Sequence, residues 1–166
     1  MTSSSVQTDA IRIVANTLEH YAHRGVFRGF SKVSERGDKA LFRMVWHHDH
    51  KFDCMFDPAT ATMRFPALLP QVPAGSEMDK AFREYVKSRQ SANLPDHRRI
   101  DPARAKLTVA NRAGTISLSL KVLDGGYEYG VRKLVNLVHE IFLDFLYDGR
   151  YFQYLVDVFG LDPDRY

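Results

Sequence analysis

From Val26 to Pro66 the apolar residues fall at every second position, and that spacing restricts the fold more than any other feature of the chain. Phe42, Met44 and Trp46 alternate with Leu41 and Val45, and Phe52, Cys54 and Phe56 alternate with Asp53 and Asp57. A period of two belongs to a pleated strand. The breaks between runs, Glu35-Arg36-Gly37-Asp38 and Asp57-Pro58-Ala59-Thr60, are short and rich in turn formers. Strands joined by such short links pair antiparallel. The pattern predicts strands around 26–34, 39–48, 52–57 and 61–66. Large apolar groups on both sides of 39–48 predict an interior strand covered on each face. Pro66 cannot donate a ladder hydrogen bond, which predicts an edge or a strand end for the fourth piece.

On either side of this block the period lengthens to that of a helix. Val6, Ala10, Ile13, Val14, Thr17, Leu18 and Tyr21 form one stripe over about 5–23, opened by Ser4 with Gln7 in the form of a capping box and closed by Gly25. Ser76 caps a second helix whose apolar face is Met78, Phe82, Tyr85 and Val86, with Glu77 and Asp79 suited to its N-terminal dipole. A hairpin follows. Leu107 and Val109, then Ile116, Leu118, Leu120 and Val122, alternate with smaller or polar residues, and Ser117 and Ser119 read as a solvated or partner-facing side. After Asp124-Gly125-Gly126 the longest helix is expected, carrying Val131, Leu134, Val135, Val138, Ile141, Phe142 and Phe145 as far as Asp148-Gly149. A short helical piece over about 150–159 closes the series. The order α-β-β-β(-β)-α-β-β-α predicts an α+β fold, an antiparallel sheet of five to six strands with helices packed on it. A chain of 166 residues suits a single domain, 1–166, with a core over about 5–146 and an aromatic helical extension over about 147–166.

This order resembles the type III secretion chaperone-like fold, including the YbjN-like proteins. The stretch that carries the likeness best runs from Leu107-Thr-Val-Ala-Asn-Arg-Ala-Gly-Thr-Ile-Ser-Leu-Ser-Leu through Asp124-Gly-Gly to Val131-Arg-Lys-Leu-Val-Asn-Leu-Val-His-Glu-Ile-Phe142. The resemblance implies a homodimer that binds an unfolded or extended segment of a partner protein, or a regulatory relative of such chaperones. Secretion chaperones are typically acidic, whereas this chain carries 23 Lys and Arg against 20 Asp and Glu, a net charge of +3. The aromatic segment after Asp148 also lies outside the usual frame.

Composition narrows the function classes. With 45% hydrophobic and 26% charged residues the chain matches soluble globular proteins, and no stretch is apolar and long enough for a membrane span. The start Met1-Thr2-Ser3-Ser4-Ser5 lacks the basic flank and apolar run of a signal peptide, so a cytoplasmic location is expected. Basic groups such as Arg24, Arg28, Lys32, Arg36 and Lys39 are interleaved with Glu35 and Asp38, so a nucleic-acid partner is not expected.

Five features invite chemistry. His47-His48-Asp49-His50 is either a solvated turn or the seed of a metal site, with His48 and His50 the candidate ligands on one strand face. Cys54 lies among Phe52 and Phe56, which favours an inert buried thiol over a nucleophile. His20 and His23 sit near a helix C-terminus, where the dipole favours imidazolium. His139 and Glu140 are adjacent on a helix and diverge by about 100°. Finally, Tyr147, Tyr151, Phe152, Tyr154, Phe159 and Tyr166 crowd the C-terminus; they pack either on the domain's own sheet or against a partner, with Tyr151, Phe152, Tyr154 and Phe159 the candidate partner-binding residues. Trp46 is assigned to the core. No cofactor is expected and no catalytic residue is assigned. The expectation is a non-enzymatic protein-interaction module, chaperone-like or regulatory, probing a partner through a strand edge or apolar groove. The alternative is a small metal-dependent enzyme built on His47–His50.

Overall fold

In the computed structural model the main strands and helices follow from the local patterns that predict them. The structure describes residues 3–36 and 38–165, with side chains over 6–36 and 38–164, so the side chain of Ser4, the conformation of Gly37 and the whole of Tyr166 lie outside the described residues. Helix α1 spans Ser3–His23 and ends in a Schellman turn, in which Val26 N donates to Tyr21 O at 3.1 Å and Gly25 N to Ala22 O at 3.0 Å. Gly25 adopts φ +79°, a conformation an L side chain resists. Four strands follow: β1 (Arg28–Arg36), β2 (Lys39–Trp46), β3 (His50–Asp57) and β4 (Thr62–Leu69). Helix α2 (Glu77–Ser88) is capped by Ser76, whose hydroxyl accepts from Asp79 N. Strands β5 (Ala105–Arg112) and β6 (Thr115–Val122) form the hairpin, and α3 (Tyr127–Glu140), a π-helical stretch (Ile141–Tyr147) and α4 (Phe152–Phe159) complete the chain.

The six strands make one open antiparallel sheet in the order β1-β2-β3-β4-β6-β5. The expected α+β architecture and element order are therefore present, with six strands. Register places Ala40, Phe42, Met44 and Trp46 of β2 beside Phe56, Cys54, Phe52 and His50 of β3, and Phe56 beside Met63 of β4, which precedes Leu120 of β6 in the same row. This inner face is buried, and the helices pack over it. At Gly130 of α3 an added Cβ would lie 2.6 Å from Val122 Cγ2 and 2.9 Å from Met63 Cε, so the helix rests almost directly on β4 and β6. Gly130→Ala should therefore lower stability by about 1–3 kcal/mol through overpacking, although the same change in an open helix raises it. A thermal melt showing the variant at or above the parent midpoint would refute that close approach.

Four expectations need correction. β2 is interior in the hydrogen-bonded sense but covered on one face only: Leu41, Arg43 and Val45 on its other side remain partly exposed. Pro66 lies within a central strand, not an edge one. β4 pairs with β3 only over Thr62–Arg64, and on its β6 side three residues, 66–68, stand opposite the single Ser117. Pro66 sits in that bulge, where no ladder bond is asked of it. The same bulge explains why Ser117, expected on a solvated side, is buried. The expected longest helix is α-helical only to Glu140 and then loosens into a π-helical stretch, a form that apolar periodicity alone does not distinguish.

Candidate functional site

The ends of several elements meet at one corner of the sheet around an open cleft of about 870 Å³. Glu19, Ala22 and His23 come from the last turns of α1; Val26, Phe27, Arg28, Gly29 and Phe30 from the entry into β1; Val45 and Trp46 from the end of β2. His47, His48 and Asp49 arrive on the β2–β3 turn, and His139 reaches in from α3. Such a volume falls within the usual range for binding sites. The floor is aromatic: Phe27 packs edge-on against Trp46 at 5.4 Å between centroids, and Phe30 stacks on Phe42 at 5.8 Å.

The β2–β3 connection is a 3-10 turn, not an open loop, and it folds His47 inward. Its ring is sandwiched between Trp46 at 4.5 Å and Phe142 at 4.1 Å, with Phe52 edge-on at 6.4 Å and His139 at 5.8 Å. Nε2 of His47 is buried without a hydrogen-bond partner. Burial pushes its pKa down to about 3, and the neighbouring His139 and His48 reinforce the shift, so this imidazole is neutral across the ordinary pH range. Burial also lowers His48, with His50 adding to the effect and Asp49 opposing it.

His48 and Asp49 both occupy the left-handed region, with φ 57° and 60°. Two consecutive non-glycine residues there cost roughly 1–3 kcal/mol each, and the surrounding structure must hold them. Part of that hold is the ion pair of Asp49 Oδ1 with Arg28 at 2.7 Å, which ties the turn to the start of β1. His50 faces elsewhere. Its Nε2 lies 3.0 Å from Phe159 O and donates to that carbonyl, joining the first residue of β3 to the end of α4. His48 and His50 thus do not converge, and among the described residues no group of three or more His, Cys, Asp or Glu is gathered as metal ligands.

The expected picture of turn histidines splayed to water is corrected here. His47 is packed inside an aromatic stack because Trp46, anchored in the core, leads straight into a tight turn beneath Phe142. His139 joins the cleft, whereas Glu140 turns to Arg89 at 3.1 Å and Arg98 at 3.5 Å, so the adjacent pair does diverge. Cys54 is fully buried, and burial drives its thiol up to about 12, far from a reactive thiolate.

The C-terminal aromatics divide. Phe159 is buried, packing on Phe142 at 5.1 Å and on His50 at 4.8 Å. Tyr154 donates its hydroxyl to Pro70 O at 2.6 Å, and burial raises its pKa. Tyr151 and Phe152 are half-buried, leaning on Phe145 at 5.1 Å and Tyr147 at 5.5 Å. Two of the four candidate partner-binding rings, Phe159 and Tyr154, are thus already engaged within the chain. The aromatic site that sequence reasoning missed, His47 with Phe142 and His139, joins residues more than ninety positions apart, and only the doublet Trp46-His47 hinted at it locally.

No protein-family model matches the chain, and neither a curated protein nor a solved structure was found to match it.

Proposed function

We propose that the chain is a protein-interaction module, chaperone-like or regulatory, that accepts an extended segment of a partner protein in the cleft beside β1. One observation carries this reading: the cleft opens along the start of an edge strand. β1 ends the sheet, so its outer amides and carbonyls have no neighbouring strand. At Val26–Phe30 that edge borders an aromatic floor. A register shift between Arg28 and Ser31, with Gly29 at φ +60°, turns the strand locally at the cleft mouth. Farther along, Lys32, Glu35 and Arg36 put charge on the edge and discourage indiscriminate pairing. An incoming strand would gain backbone hydrogen bonds from β1 and place alternate side chains over Phe27, Phe30 and Trp46. The resemblance to secretion chaperones adds a homodimeric assembly.

Trp46 is the single tryptophan, so its emission reports on the cleft floor directly. Peptides selected from a display library should shift that emission on titration. Phe30→Glu, with its circular dichroism retained, should weaken binding about tenfold or more, since one aromatic anchor is lost and a charge is desolvated. Selected peptides that leave Trp46 emission unchanged and bind the Phe30→Glu variant equally well would remove the cleft from consideration. Sizing chromatography with light scattering tests the homodimer: a monomer at tens of micromolar would reject it.

A further inference from the structure

The face of the sheet away from the helices carries a second pattern, fixed by register. Lys106 lies opposite Lys121, Thr108 opposite Ser119, Ala110 opposite Ser117, and Arg112 opposite Thr115. On the adjoining strand Thr62 continues the Lys121 row and Arg64 continues the Ser119 row. This patch over β4, β6 and β5 thus presents four cations, four hydroxyls and one alanine, with no carboxylate and no aromatic ring, and Ser117 is buried beneath it. Among the described residues none of the four cations makes an ion pair. Nε of Arg64 is buried without a partner. In the Lys121 row the nearest acid, Asp57, stands two strands away and pairs with Lys39 at 3.9 Å. Like charges directly opposite on a sheet destabilise it, so the Lys106–Lys121 pair is a cost that the fold itself does not offset.

We infer that this face binds an extended acidic segment of a partner protein, as a surface separate from the cleft. Lys106, Thr108, Ala110 and Arg112 repeat along β5 every two residues, about 6.8 Å apart. An extended peptide offers its same-side carboxylates at the same interval, so its Asp or Glu residues can meet the rows of Lys106, Thr108 and Arg112, with the Ala110 row between them uncharged. Single-stranded nucleic acid is the weaker fit, because such sites stack bases on aromatic rings and this patch presents none. The binding relies on charge and is therefore salt-sensitive.

The test uses the full chain and a fluorescein-labelled peptide of six Glu-Ser repeats, with a Lys-Ser peptide and a twelve-nucleotide thymidine strand as comparators. The acidic peptide should bind, its affinity should fall several-fold between 50 and 200 mM salt, and Lys106→Glu with Lys121→Glu should weaken it about tenfold or more. Lys80→Glu with Lys87→Glu makes the same charge change on exposed positions of α2 and should leave affinity within about twofold. Lys121→Glu alone should reduce binding while holding or raising the melting temperature, since it converts a like-charge pair into an opposite one. The inference fails if the acidic peptide does not bind at low salt, if the α2 variant loses as much affinity, or if the oligonucleotide binds more tightly. None of these outcomes bears on the cleft, which Trp46 emission and Phe30→Glu test separately.

Discussion

Replacing His47 with Phe should remove about 2 kcal/mol of acid sensitivity between pH 7.5 and pH 5. The parent imidazole has a pKa near 3 when folded, against 6.5 in the unfolded chain. Below pH 6.5 the unfolded state takes up a proton that the folded state refuses. The stability His47 supplies is therefore complete above pH 6.5 and is lost as pH falls toward 3, at about 1.4 kcal/mol per unit. His48 is shifted in the same direction and adds to the slope. The depressed Asp79 carboxyl loses its contribution only below its ordinary value of 3.8, so the window between pH 6.5 and 4.5 belongs to the imidazoles. Phe suits the site because the ring is already stacked between Trp46 and Phe142, and because Nε2 gains no hydrogen bond there. At pH 7.5 the variant should match or exceed the parent, since a buried group without a partner is removed. Urea unfolding at pH 7.5, 6.0 and 5.0 settles the matter: parallel losses for parent and variant would mean that His47 titrates in contact with water.

The same residue shows where local sequence stops being informative. Period two across Phe42–Trp46 and Phe52–Phe56 sufficed for β2 and β3, and Ser76 and Gly25 marked helix ends, because each is decided within a few neighbouring residues. Pro66 misled because a central position becomes tolerable only when the partner strand falls short and a bulge forms, both properties of distant segments. The π-helical stretch at Ile141–Tyr147 keeps the apolar spacing of an ordinary helix. The cleft was legible only as a list of histidines. Its substance is the meeting of a strand end, a strained turn and α3, and the cation face likewise appears only when register sets Lys106 beside Lys121. Ser117 and Ser119 suggested a partner-facing side, but nothing short of pairing could show which cations border them.

Ending the chain at Tyr147 should abolish cooperative folding, which is the larger of the two effects. The segment after Asp148 is unusually aromatic and invites treatment as an appendage to a core over 5–146. Its packing says otherwise. Leu155, Phe159 and Leu161 are buried in the same hydrophobic cluster as Phe52, Phe142 and Leu146. Removing three buried side chains forfeits about 5–9 kcal/mol, comparable with the 5–15 kcal/mol that stabilises a domain of this kind. The loss also takes the Tyr154 bond to Pro70 O and the His50 bond to Phe159 O, which join α4 to the 70–76 loop and to β3. Phe142 would face water on the side that α4 now covers, and the stack holding His47 would loosen with it. The truncated chain should therefore lose its sharp thermal transition and its near-ultraviolet dichroism while keeping some helical signal. A fragment 1–147 that melts cooperatively within a few degrees of the full chain would show that α4 decorates the fold instead of completing it. Phe159→Ala offers the graded version, with an expected cost of about 3–5 kcal/mol.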